Sequence, residues 1–260
     1  MAPKVLIVLT SADEFPGVGK TGWYLRIRAL AIYFRTTNQT TKHHARTLAN
    51  TVSARVCPSL GSPAQQDRAH HCVAQGRCRS LDQGSVEMFK SDPVSQKFLA
   101  EQKSLWENTV KLSDVNAGDF DAIFYVGGHG PLFDLTDNAT SLSLIQAFAA
   151  AKKPVSAVCH GPTVFLKATT PDGKPLIAGA SVTGFSNVEE EQVGLLSKVP
   201  FELETELQRV SDGGYVKAAE PWAEKVVVSK TNGIGGPLIT GQNPNSGSGV
   251  AKAILEALGI

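Results

Sequence analysis

The chain has 260 residues, 42% of them hydrophobic, and a formal net charge of +1. That is enough length and apolar content for one sizeable α/β domain, and the charge gives no support to nucleic-acid binding. No apolar run approaches the ~18 residues a membrane helix needs, and the opening run Lys4–Thr10 is too short for a signal peptide. Four cysteines without a secretory context argue against a disulfide framework, so a cytoplasmic protein is expected.

The charge is unevenly spread. Residues 26–80 hold nine Lys and Arg against one acid, Asp67, together with three of the four cysteines and four of the six histidines. In chain order, Lys4 to Thr10 reads as a buried parallel strand. Gly17-Val-Gly-Lys-Thr-Gly22 has the look of a phosphate loop, but the required leading glycine is replaced by Glu14, a carboxylate that would oppose phosphates. Residues 26–80 show no amphipathic period and no strand that fits an α/β alternation. Cys57, His70, His71, Cys72 and Cys78 lack paired C-x-x-C or H-x-x-x-H elements, so no metal is expected there.

Order resumes near Leu81. Pro93 to Trp106 reads as an amphipathic helix with Val94, Phe98, Leu99, Leu105 and Trp106 as its apolar face. Strands follow at 121–126, 154–158, 225–229 and 237–240, and helices at 141–152, 200–211 and 247–258, with Ser181-Val-Thr183 leading into Gly184 to Glu191. The alternation predicts a mainly parallel sheet covered on both faces, with its chemistry at the carboxyl ends of the strands. Gly127–His129, Cys159 and Gly184–Glu190 all fall there.

The most informative stretch is Ala157-Val-Cys-His-Gly-Pro162, a cysteine at a sharp strand-to-helix turn. Gly161 permits a tight turn and Pro162 is tolerated in a first helical turn, so Thr163 to Lys167 can start a helix. Unpaired N–H groups there would favour a thiolate, and His160 sets an imidazole beside it. The arrangement has the logic of a nucleophile elbow with cysteine in place of serine.

These pieces together resemble the class I glutamine amidotransferase-like superfamily, in the branch of fungal and bacterial heat-shock chaperones with glutathione-independent glyoxalase activity (D-lactate dehydratase, glyoxalase III). The resemblance rests on Val5 to Ser11, Lys20-Thr-Gly-Trp-Tyr24, Gly127-Gly-His-Gly-Pro-Leu-Phe-Asp134, Ala157 to Pro162, Val182-Thr-Gly-Phe185 and Thr240-Gly-Gln-Asn-Pro244. It covers residues 1–25 and about 81–260. It implies a flavodoxin-like three-layer sandwich and conversion of methylglyoxal to D-lactate without a cofactor or metal. Carried over, Cys159 is the nucleophile, with His160 and Glu190 as proton-transfer partners and Glu189 as the alternative to Glu190. Backbone N–H groups near Gly128 and His160 are the candidate oxyanion donors, His129 shapes a loop or lines the pocket, and Trp222 lines the pocket or packs. Implied partners are a small aldehyde substrate, misfolded proteins for a chaperone role, and a second copy in a homodimer. A stress chaperone or redox sensor, and an amidotransferase or peptidase, are competing functions.

One departure stands out. After Thr-Gly-Trp-Tyr the family continues with a segment that holds Glu and His-Pro, that Glu hydrogen-bonding the nucleophilic cysteine, and then a strand. Neither is legible here. Arg55-Val-Cys-Pro-Ser59 can be encoded so that a one-base shift reads Glu-Phe-Ala-His-Pro, and 66–78 can be encoded so that the same shift reads as a strand and turn. Residues 26–54 are therefore expected to be retained intron sequence and 55–80 to be out of frame, against the alternative of a genuine insertion. The chain as printed is then expected to lack one central strand and one carboxylate, and to be poorly folded, weakly active or inactive.

Overall fold

A computed structural model describes residues 3–22, 71–73, 81–101, 109–230 and 234–260. Its centre is a seven-stranded sheet. The first strand, β1 (Val5–Leu9), is buried at every position, as a strand covered on both faces must be. The strands that follow are the two-residue β2 (Glu14–Phe15) and β3 (Gly19–Lys20), then β4 (His71–Val73), β5 (Val110–Lys111), β6 (Ala122–Tyr125), β7 (Val155–Val158), β8 (Val226–Ser229) and β9 (Leu238–Gly241). The sheet order is β5-β4-β1-β6-β7-β9-β8, parallel except for β8, which runs antiparallel to β9 at the edge. After β1 the chain builds β4 and β5 on one side, then crosses to β6 and β7 on the other. The β1/β6 boundary is thus a topological switch point, where loops at the carboxyl ends diverge and leave a crevice.

The helices are placed by apolar spacing and capping. Helices α1 (Gln83–Met88) and α2 (Pro93–Glu101) follow β4, with Asp82 capping the first through Ser85 N–H. The short α3 (Pro131–Asp134) leads to α4 (Ala139–Ala150), which is capped by Asn138. Leu144, Ile145 and Phe148 of α4 lie on one buried face at helical spacing. Helices α5 (Asn187–Gln192), α6 (Leu203–Val210) and α7 (Gly247–Ala257) complete the set; α6 buries Leu203, Leu207 and Val210, and α7 buries Val250, Ala251, Ile254 and Leu255.

Two expectations are corrected. Residues 26–80 do supply a strand. The backbone of β4 pairs with β1 at Ile7↔His71, Val8↔Cys72 and Leu9↔Val73, and with β5 at Cys72↔Val110. Strand pairing uses backbone groups, so a three-residue His-Cys-Val segment can fill an open edge without an alternating pattern to announce it. Val94 is 42% exposed, so the buried face of α2 is narrower than read, centred on Phe98; Leu105 and Trp106 lie outside the described residues. Glu14–Phe15 and Gly19–Lys20 pair as a small antiparallel ribbon, with Glu14 opposite Lys20. The remainder of 26–80, with Cys57, His70, Cys78 and the departures from the family pattern, lies outside the described residues.

Phe148 is completely buried between α4 and the sheet. Phe148→Ala is expected to cost about 3–5 kcal/mol in urea unfolding, while Val228→Thr at the exposed edge stays within about 0.5 kcal/mol. A Phe148→Ala cost below about 1 kcal/mol would contradict this packing.

Candidate active site

Four loops at the carboxyl end of the sheet converge. The β7 loop carries Cys159 and His160. Cys159 has φ +61°, a left-handed conformation that a side-chain-bearing residue rarely adopts. The turn is held closed because Gly161 packs against the β6 backbone: a Cβ there would sit 2.7 Å from the Tyr125 carbonyl oxygen. Cys159 N–H donates to Gly241 O at 2.9 Å and Phe185 N–H donates to Cys159 O at 2.9 Å, so neighbouring loops over-determine the strained residue. The following segment, Gly161–Phe165, is a 3₁₀ turn and not the α-helix expected from Thr163 onward. Pro162 stands in its first turn, and five residues of 3₁₀ geometry give little of the helix dipole invoked for a thiolate.

Burial decides the resting state of the thiol. Cys159 and His160 are both fully buried. Burial pushes the Cys159 thiol well above its ordinary range, against the opposing pull of the Gly128 and His160 N–H groups; the negative Glu189 and Glu190 push the same way as burial. Cys159 Sγ lies 3.3 Å from His160 Nδ1. On the far side of the ring, His160 Nε2 lies 2.6 Å from one carboxylate oxygen of Glu190. The second oxygen of Glu190 lies 2.8 Å from His129 Nε2. Burial alone would raise the Glu190 pKa, but the charges and hydrogen bonds of His160 and His129 outweigh it and hold the carboxyl far below its usual range. An ionised carboxylate only accepts hydrogen bonds, so both Nε2 atoms carry hydrogen. Burial, then the neighbouring His129, lowers the His160 pKa. When that ring is neutral, its Nδ1 is bare and faces the thiol.

The structure separates the two candidate carboxylates. Ser186-Asn-Val-Glu189 is a capping box at the start of α5: Ser186 Oγ accepts from Glu189 N–H, and the Glu189 carboxylate accepts from Ser186 N–H at 3.0 Å. The other Glu189 oxygen accepts from Trp222 N–H at 2.8 Å, Gln242 Nε2 at 3.0 Å and Asn243 Nδ2 at 2.8 Å. Glu189 thus ties α5 to two loops, and the next residue, Glu190, points at the histidines. Trp222, at φ +64°, packs edge-on against Phe185, with ring centroids 5.5 Å apart, and Phe185 in turn lies 4.5 Å from the His160 ring.

His129 was expected to shape a loop or line the pocket. It is 3% exposed, its ring centroid is 4.1 Å from that of His160, and it bonds Glu190 directly. Gly128, at φ +99°, and His160 aim their N–H groups at Sγ itself. Sequence reading missed Gln242, Asn243 and the structural duty of Glu189; the Ser-x-x-Glu spacing of the capping box was the available signal for the last. His129, His160 and Glu190 are also the one group among the described residues whose donor atoms, all within 4.8 Å, could hold a metal ion. Both imidazole Nε2 atoms are already engaged by the carboxylate, so a metal would have to displace two hydrogen bonds.

Residues 100–257 match the model of the DJ-1/PfpI family. The chain belongs to the DJ-1/PfpI family. Similar relatives include a probable glutathione-independent glyoxalase of Schizosaccharomyces pombe, 32% identical over 65% of this chain and 76% of the relative. Another is glyoxalase 3 of Candida albicans, 33% identical over 58% of this chain and 63% of the relative. Among solved structures, the rapid encystment protein of Francisella tularensis is 30% identical, with a TM-score of 0.77 and coverage of 98% and 99% of the two chains. The family match spans all four of Cys159, His160, Glu190 and His129.

Glu189 accepts hydrogen bonds from three separate segments. Glu189→Gln, whose amide nitrogen cannot accept, is expected to lower the unfolding free energy by about 1–3 kcal/mol. A melting temperature unchanged from wild type would contradict its tying role.

Proposed function

We propose that the chain is a glutathione-independent glyoxalase that converts methylglyoxal to D-lactate by way of Cys159. The carrying observation is the line Sγ–His160–Glu190, at 3.3 and 2.6 Å, which gives a buried thiol a base of defined tautomer. The glyoxalase names of the relatives support the substrate class, a small aldehyde. No described helix is long and apolar enough to cross a membrane.

The chemistry balances with the groups present and one water. Cys159 Sγ adds to the aldehyde carbon as its proton passes to His160 Nδ1, which hands that proton on to the carbonyl oxygen, giving a hemithioacetal and a neutral imidazole. The same imidazole then removes the proton from that carbon, forming an enediol, and returns one to the neighbouring carbon. The product is a thioester, and hydrolysis releases lactate and the thiol. The Gly128 and His160 N–H groups that interact with the Cys159 thiol are the donors assigned to oxygen-centred charge during addition.

The same reading carries the family's other expectations: a cytoplasmic protein, a homodimer, and engagement of misfolded proteins. It also keeps 26–54 as intron-like and 55–80 as frame-shifted sequence, for which sequencing of the mature transcript across codons 25 to 81 is the test. A spliced, restored frame supports that reading, and a transcript that reads as printed removes it.

Protein made from the spliced, restored frame is expected to form D-lactate from methylglyoxal with no added glutathione, whereas protein made from the sequence as printed is expected to be weakly active or inactive. Cys159→Ala is expected to lower that rate by on the order of 10³-fold or more, and His160→Ala by about 10²–10⁴-fold, without loss of the folded state. Turnover by Cys159→Ala equal to wild type would overturn the assignment. Because the thiol is protonated at rest, its reaction with iodoacetamide should rise steadily with pH above neutrality, and a plateau reached near pH 5 would contradict that resting state.

A further inference from the structure

His129 is a buried imidazole that the chemistry above does not use. It comes from the loop after β6, whereas His160 comes from the loop after β7 and Glu190 from α5. Its Nε2 is 2.8 Å from Glu190, and its ring rests 5.3 Å from Phe15 and 6.3 Å from Phe185, centroid to centroid. A carboxylate held at one oxygen only can rotate about its last bond or take up a proton and become a donor. Either change would let His160 shift its own hydrogen from Nε2 to Nδ1, which would face the thiol with an N–H in place of a lone pair.

We propose that His129 is a positioning residue: by donating from Nε2 to one oxygen of Glu190, it holds the other on His160 Nε2 and so keeps His160 Nδ1 free to accept the Cys159 proton. The two rings act as a clamp with the carboxylate between them. Three different elements supply the parts, so the clamp also fixes α5 against the two strand ends. Shape-filling alone would need only an apolar contact with Phe15 and would leave the second oxygen of Glu190 without this donor.

The consequence for pH follows from the groups that face Glu190 among the described residues. These are His160 with Cys159 beyond it, His129, and the neighbouring Glu189, while Asp82 at the start of α1 acts electrostatically on His129. His129 is one of the two groups that depress the Glu190 pKa. His129 also lowers the His160 pKa, so removing it raises both, and the acid limb of any process that needs the bare Nδ1 moves upward.

The role in turnover rests on the glyoxalase reading, so the test adds a readout that needs no substrate turnover. The rate of Cys159 alkylation by iodoacetamide is followed from pH 5 to 9, beside kcat and KM for methylglyoxal, in wild type, His129→Ala, His129→Met and His129→Gln. Gln offers a neutral N–H donor near the place of Nε2; Ala and Met offer none, and Met keeps the bulk if Ala folds poorly. Ala and Met are expected to lower both alkylation and kcat by about 10-fold or more, with KM nearly unchanged and the acid limb shifted upward. Gln is expected to restore the limb and most of the rate. Equal losses in Gln and Met with an unmoved acid limb would overturn the proposal and leave His129 a packing residue. If wild type makes no D-lactate but the alkylation limb still follows the donor at position 129, the glyoxalase reading falls and the clamp stands.

Discussion

One carboxylate shared by two imidazoles is the interaction on which the site depends. Glu190 is 5% exposed and sits between His129 and His160, with a protonated nitrogen on each of its oxygens. A buried anion of this kind would be prohibitively placed without such donors. With them, it fixes the hydrogen of His160 on the side away from the thiol. The reactivity of Cys159 is then a property of a network drawn from two loops and a helix, and less of the thiol's own environment, which favours the protonated form.

The fold explains how those parts meet. The strand order switches between β1 and β6, and the loops after β6, β7 and β9 meet at the carboxyl ends of the sheet. The strained φ of Cys159 is maintained by hydrogen bonds to Gly241 and Phe185 and by the close approach of Gly161 to Tyr125. Asp134 performs a parallel service at the end of β1, where it accepts from Thr10 Oγ1 at 2.8 Å and from Ala12 N–H at 3.1 Å, with Ser11 N–H as a further donor. Strain at the nucleophile is thus balanced by ordinary bonds made by its neighbours.

Much of this was legible beforehand, for reasons that differ by element. Apolar runs such as Val5–Leu9 and Val155–Val158 are dense enough to mark buried parallel strands, and the elbow announces itself through Gly161 and Pro162. The His71–Val73 strand was not legible, because backbone pairing leaves no trace in three residues of mixed type. The extent of the turn after Cys159 was overread, since a sequence that can begin a helix is here held in 3₁₀ geometry by its surroundings. The choice between Glu189 and Glu190 was open to sequence reasoning through the Ser186 capping box, which commits the first glutamate to the helix start and frees the second. The approach of His129 to Glu190 joins residues 61 positions apart and needed the three-dimensional arrangement.

The most direct test of the shared-carboxylate account is the tautomeric state of His160, read by long-range ¹⁵N–¹H NMR on the imidazole-labelled protein at neutral pH. The account predicts a protonated Nε2 and a bare, pyridine-type Nδ1, with that pattern lost in Glu190→Gln. A wild-type His160 protonated at Nδ1, or a pattern indifferent to Glu190→Gln, would contradict it.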